Sequence, residues 1–222
     1  MKKKIAILGS TGSIGTTSLN IFKKNKNKFD IILLAANRNY SLICKQIKVF
    51  KPKYYIISDE LVFKKVKKKY KNNKIKIYNN FSDLNFKNKK FDITISSIVG
   101  IAGLSPTIKF VKYSKKILLA NKETIICGWH LIKNLSKSHK TKIIPVDSEH
   151  FSIDQLTRNY KDTDIEKIYL TASGGPFLNK SLKSFKSIKA SDAIKHPKWK
   201  MGKKISIDSS NLMNKVLEII EA

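Results

Sequence analysis

Asp147-Ser148-Glu149-His150 places two carboxylates two residues apart, directly behind the strand-like run Ile143-Ile144-Pro145-Val146. In extended backbone, residues i and i+2 face the same side, and convergent carboxylates repel unless a cation or a proton separates them. Oxygen donors without cysteine suit magnesium or manganese rather than zinc. The pair by itself is common and usually belongs to a solvated turn. Nearer the end, Asp208 to Glu218 reads as a helix capped by Asp208 or Ser209, with Leu212, Val216, Leu217 and Ile220 as its buried stripe. Asn214, Lys215 and Glu218 then share a face at helical spacing. Such a face is either a surface Lys/Glu pair or the carboxylate side of a metal and phosphate site.

A second constellation handles anions. Gly9-Ser10-Thr11-Gly12-Ser13-Ile14-Gly15 follows the first strand and leads into a helix beginning near Thr16. Glycines there allow a tight turn, and the helix start offers amide donors and a positive dipole end to a pyrophosphate. After the second strand the chain reads Ala35-Ala36-Asn37-Arg38-Asn39, without the carboxylate that would accept from a ribose hydroxyl. Arg38 supplies a fork suited to a 2′-phosphate, which favours NADP.

Positioning these groups requires a parallel sheet. Short β-branched runs at Ile5–Leu8, Ile31–Leu34, Tyr54–Ile57, Ile75–Ile77, Asp92–Ile95, Ile117–Leu119 and Ile143–Val146 alternate with amphipathic or lysine-rich segments, such as Leu61, Val62, Val66 and Tyr70. This rhythm predicts an α/β, Rossmann-like parallel sheet with helices on both faces. The stretch from Asn79 to Lys90 reads as a surface connection. Character changes near Pro145, so residues 1–146 are expected to form the nucleotide domain and 147–222 a second one. The irregular stretch from Ser173 to Lys203, with His196-Pro197-Lys198-Trp199, has the character of a functional loop, Trp199 being either packed or part of a lid.

The 222 residues carry a formal charge of +29, yet only Arg38 and Arg158 among 45 basic residues are arginines. Base-reading surfaces favour arginine, so the scattered lysines read as a solvated face rather than a nucleic-acid footprint. No apolar run approaches the roughly 20 residues of a membrane span, and a cytoplasmic protein is expected. Cys44 and Cys127 read as inert core thiols.

Taken in order, Gly9–Gly15, Leu119-Ala-Asn-Lys-Glu123, Pro145-Val-Asp-Ser-Glu-His150, Ser173-Gly-Gly-Pro-Phe177, His196-Pro-Lys-Trp199 and Met213-Asn-Lys215 through Glu218 resemble the 1-deoxy-D-xylulose 5-phosphate reductoisomerase family across essentially the whole chain. The resemblance implies a metal site of Asp147, Glu149 and Glu218 holding manganese or magnesium. It implies substrate phosphate contacts from Ser173, Ser209, Asn214 and Lys215, and further substrate contacts from Lys122, Ser148, Glu149, His196 and Glu218. NADPH would be touched by Thr11, Gly12, Ser13, Ile14, Arg38, Asn39, Asn121, Glu123 and Gly202, with Asn37 standing where the family usually has glycine. Lys122, Glu149, His150 and His196 would be the catalytic group. The second domain would be part of an α+β catalytic domain, stopping short of the family's full length, in a homodimer that binds neither nucleic acid nor membrane. A truncated NADPH-binding remnant without activity is the alternative. Another NADP-dependent dehydrogenase, of the aspartate-semialdehyde or homoserine type, would leave the carboxylate and phosphate set unexplained, and Cys127 lies in what reads as a helix.

Overall fold

The computed structural model describes residues 1–86, 90–197 and 202–221. Lys198 and Trp199, the latter expected to be either packed or part of a lid, lie outside them. The chain divides into two compact units, Met1–Asp147 and Ser148–Ala222, so Asp147 goes with the first unit.

The first unit is a seven-stranded sheet built from β1 (Lys3–Leu8), β2 (Phe29–Ala36), β3 (Tyr54–Ile57), β4 (Lys76–Tyr78), β5 (Phe91–Ser96), β6 (Ser114–Leu119) and β7 (Lys142–Pro145). Every pairing is parallel, in the order β4-β3-β2-β1-β5-β6-β7. The crossovers carry α1 (Ser13–Lys24), α2 (Tyr40–Phe50), α3 (Glu60–Lys69), α4 (Leu104–Val111) and α5 (Lys122–Ser138). All seven expected strands form, as a Rossmann-like α/β sheet. The order reverses beside β1, and ligands of open α/β sheets bind at such a switch point, outside the carboxyl ends of the strands.

Central parallel strands are apolar on both faces because helices cover both. Ile5, Ala6, Ile7 and Leu8 of β1 are all fully buried. Ile5 and Ile7 join one cluster with Leu19 and Phe22 of α1, Ile43 and Ile47 of α2 and Val66 of α3. Ala6 and Leu8 join the opposite one with Phe110 and Tyr113. Phe81, Leu84 and Phe86 belong to that second cluster too. Phe86 meets Phe91 and Tyr113 edge-on, at 5.4 and 5.1 Å between ring centroids. The segment expected to be a surface connection thus plugs the core, because its three apolar side chains find an aromatic pocket between β5 and the end of α4. Cys44 is buried as expected, whereas Cys127 is exposed, on the solvent side of α5.

The second unit contains α6 (Ser148–Thr157), α7 (Ala190–Ala193), α8 (Lys203–Ser210) and α9 (Met213–Glu221), with 3-10 turns at Asp162–Asp164, Gly175–Phe177 and Leu182–Ser187. Its described residues include helices and irregular backbone but no strand. An α+β domain was expected here; its described residues show helices and turns alone.

Candidate functional site

The glycine loop leaves β1 through Gly9, whose φ of +91° is left-handed. A Cβ there would lie 2.7 Å from the Ser97 carbonyl oxygen, so the turns after β1 and β5 touch at the switch point. Ser97, which the sequence did not single out, ties them together by donating from its hydroxyl to the Leu8 carbonyl at 2.8 Å. Gly12 is the N-cap of α1, without a side-chain cap and with no acidic residue in the first turn. The positive helix end is therefore available to an anion. Helix α1 begins at Ser13, not near Thr16: the Thr16 hydroxyl donates back to the Gly12 and Ser13 carbonyls, both at 2.9 Å, so it serves inside the first turn. Gly12, Ser13 and Ile14 are exposed and Thr11 half-buried.

Asn37, Arg38 and Asn39 follow β2 and are exposed. Asn39 caps α2 by accepting from the Leu42 N–H at 3.1 Å. Asn121 is committed in the same way. It caps α5 through the Thr124 N–H at 3.0 Å and donates to the Ile98 and Gly100 carbonyls, the latter at 2.7 Å, with only 4% of its surface exposed. Its side chain holds the β5 and β6 loops together. Next to it, the buried Lys122 pairs with Asp147 at 3.1 Å, and Glu123 stands in the first turn of α5.

Extended backbone does not continue through the motif: β7 ends at Pro145 and α6 starts at Ser148, so Glu149 stands in the first helical turn and the condition under which residues i and i+2 alternate is not met there. Ser148 donates its hydroxyl to Glu149 Oε2 at 2.5 Å. Lys215 reaches Glu149 Oε1 and also Glu218 Oε2, the latter at 2.8 Å. Asn214 donates to Glu218 Oε1 at 2.5 Å. Burial opposes ionisation of Glu149, but the Lys215 ammonium and the Ser148 hydroxyl outweigh it and hold the carboxyl down at about 2. Burial likewise works against the charge of Lys215, and the two carboxylates overcome it and raise its pKa. His150 bridges α6 and α9, with Nε2 3.0 Å from the Glu218 carbonyl and Nδ1 3.4 Å from Glu221. Glu221 escaped the sequence reading, although it stands one helical turn beyond Glu218.

Helix α9 is consequently turned polar side in. Glu218 is 3% exposed, while Leu212, Val216 and Ile220 are exposed and Leu217 is half-buried, so the expected apolar stripe is not buried. The ion cluster is what this face packs on, and a charged group can be buried when paired and hydrogen-bonded. Nor is the segment one helix: α8 contains Asp208, which pairs with Lys204 at 2.6 Å instead of capping, and Leu212 in left-handed backbone (φ +63°) separates it from α9.

Three further expected residues meet at the Gly174-Gly175 turn. Ser173 Oγ lies 3.0 Å from His196 Nε2. Gly175 has a φ of +62°, and a Cβ on it would come within 2.7 Å of the Ser209 carbonyl oxygen. Glycine lets the end of α8 approach this turn. Gly202 is the exposed N-cap residue of α8, and its carbonyl accepts from the Ser206 N–H and hydroxyl.

Two family descriptions match the chain, 1-deoxy-D-xylulose 5-phosphate reductoisomerase over residues 5–128 and the C-terminal domain of that enzyme over residues 143–222. The reductoisomerase of Pelagibacter ubique is 53% identical over 99% of this chain and 58% of its own length, and that of a Wolbachia strain from Culex pipiens is 45% identical over 99% and 56%. A DOX-P reductoisomerase solved with NADPH, fosmidomycin and magnesium superposes with a TM-score of 0.86 at 34% identity, covering 99% of this chain and 57% of that one. The Zymomonas mobilis enzyme with NADPH gives 0.84 at 33% identity, covering 100% and 57%. The chain therefore spans a little over half the length of these relatives. With both family regions matched in order along it, the chain belongs to the 1-deoxy-D-xylulose 5-phosphate reductoisomerase family.

Proposed function

We propose that the chain acts in the NADPH- and divalent-metal-dependent conversion of 1-deoxy-D-xylulose 5-phosphate to 2-C-methyl-D-erythritol 4-phosphate; the support is a relative named as a 1-deoxy-D-xylulose 5-phosphate reductoisomerase and a neighbour solved with NADPH and magnesium. The observation that carries the reading is the Glu149–Lys215–Glu218 cluster of the second unit. Its hard oxygen donors fit magnesium or manganese, and Lys215 supplies positive charge beside them. Asp147, two residues before Glu149, would complete the ligand set. The exposed loop Thr11 to Ile14 and Arg38 fit the pyrophosphate and 2′-phosphate of NADPH.

When bound, the ion would neutralise charge on substrate oxygens during the carbon-skeleton rearrangement, and NADPH would supply the hydride for the reduction. Lys215 would exchange its carboxylate partners for the substrate phosphate, helped by Asn214, Ser173 and Ser209. Lys122, Ser148 and His196 would hold the remaining substrate hydroxyls, and Glu149 and His196 would move protons. His150 would keep α6 and α9 together beside the ligands. A homodimer in the cytoplasm belongs to the same proposal. Among the described residues no helix is long and apolar enough to cross a membrane.

The test is NADPH oxidation with 1-deoxy-D-xylulose 5-phosphate and magnesium or manganese, alongside calorimetric metal titration. Asp147→Asn, Glu149→Gln and Glu218→Gln are each expected to weaken metal binding while NADPH binding stays nearly unchanged. Metal affinity unchanged in all three would sink the assignment.

A further inference from the structure

Behind the glycine loop lies a polar network that the proposed chemistry does not use. Ser10, Gln46 and Tyr55 are 0%, 3% and 0% exposed, on three different elements: the loop, α2 and β3. Gln46 Oε1 accepts from the Ser10 hydroxyl at 2.8 Å and from the Tyr55 hydroxyl at 2.7 Å. Gln46 Nε2 donates to the Ser10 carbonyl at 2.8 Å. With two hydroxyls donating to its oxygen, the Gln46 amide has a single sensible orientation, which leaves its NH2 group facing the Ser10 carbonyl.

Both peptide planes around Ser10 are pinned as a result. The Ser10 N–H donates to the Ala35 carbonyl at 2.8 Å, and its own carbonyl is held by Gln46. The described peptides include no cis bond, and in a planar trans peptide the C=O and the following N–H point in opposite directions. Drawing the Ser10 carbonyl into the core therefore turns the Thr11 N–H away from it, toward the mouth of the loop. A peptide released from this latch could rotate its carbonyl outward, where an oxygen dipole would repel a phosphate.

We propose that Gln46, braced by Tyr55, is a positioning residue that locks the Ser10–Thr11 peptide so that the Thr11 N–H is presented to the pyrophosphate of the dinucleotide. The inference rests on the NADPH reading of the loop. Stability alone does not demand the network, since a well-packed apolar trio at these sites can be as stable as a hydrogen-bonded one. Its specific product is the fixed direction of one amide.

The experiment compares the unaltered 222-residue chain with Gln46→Met and Tyr55→Phe, using two probes: NADPH, and adenosine 2′-monophosphate, which has the 2′-phosphate but no pyrophosphate. Gln46→Met should weaken NADPH by about tenfold, because the buried Ser10 carbonyl loses its donor, and Tyr55→Phe by about threefold, because Gln46 then keeps only the Ser10 hydroxyl on its oxygen. Adenosine 2′-monophosphate should bind all three proteins equally. Should Gln46→Met fail to fold, Tyr55→Phe, which removes a single oxygen, decides alone. NADPH affinity unchanged in a folded variant overturns the positioning role and leaves the cofactor reading standing. Equal weakening of both probes also overturns it, because a general loss of fold support would act on both. An unaltered chain that binds neither probe removes the cofactor reading and the positioning role with it.

Discussion

Arg38 is exposed, carries one of two guanidinium groups in a lysine-rich chain, and follows the strand beside β1 at the switch point. Arg38→Asp removes a charge-assisted partner for a 2′-phosphate and adds a repulsion, so NADPH should be weakened far more than NADH. Equal loss for the two dinucleotides, measured by fluorescence titration, would dismiss that role. Asp92 shows a different use of charge. One of its carboxylate oxygens accepts from the Lys4 backbone N–H at 2.8 Å and the other pairs with Lys115 at 2.8 Å, joining β1, β5 and β6. Lys115 first, and then the Lys4 N–H, lower its pKa below the ordinary carboxylate range. A carboxyl whose folded pKa is depressed contributes stability above its unfolded value and loses it as pH falls through the folded one. Asp92→Asn should therefore cost stability at neutral pH, with the gap to the unaltered chain closing on acidification below about pH 4, where the unfolded aspartate takes up its proton. Denaturant melts at pH 7 and pH 3 check this, and a gap that widens toward acid would contradict it.

At the scale of elements, strands were legible because parallel core strands need apolar residues on both faces, and runs such as Ile31 to Leu34 have no other use. Contacts between elements were not. Phe81, Leu84 and Phe86 sit among lysines and asparagines that hide them from any periodicity, and their pocket exists only once α4 has docked. Helix α9 was misread for the opposite reason. Its apolar spacing is regular, but the face it turns inward is set by the pairing of Lys215 with Glu149, 66 residues away. The cluster members were each legible as residue types, and their meeting only through the family resemblance, not from spacing. A local feature of α2 carries a further prediction. Lys51 closes this helix in left-handed backbone with φ +45°, and its N–H donates to the Ile47 carbonyl at 3.0 Å. Side chains are strained in that conformation and glycine is not. Lys51→Gly should stabilise the chain by about 0.5–1 kcal/mol after the greater flexibility of glycine in the unfolded state is counted. A lower melting temperature would mean that the lysine contributes more there than its backbone costs.

For the molecule as a whole, the formal charge of +29 dominates the electrostatics. Sixteen acidic residues stand against 45 basic ones, so positive groups outnumber negative ones by nearly three to one. Several ion pairs are exposed, such as Lys64 with Glu60 and Arg158 with Asp154, and pairs of that kind are worth about 0–1 kcal/mol. The pairs that matter most, Lys122 with Asp147 and Lys215 with Glu149 and Glu218, are largely withdrawn from solvent and so are weakly screened. Self-repulsion of the surface, in contrast, is fully open to salt: the screening length falls from about 30 Å at 0.01 M to about 8 Å at 0.15 M. Adding neutral salt over that range should relieve repulsion more than it weakens attraction, and the melting temperature should rise, by roughly 2–4 °C for each kcal/mol gained in a chain of this size. The comparison needs sodium chloride, since phosphate or sulfate could bind the loop and stabilise it by occupancy. A melting temperature that falls with sodium chloride would show that the exposed ion pairs, not the excess of positive charge, govern the surface energy.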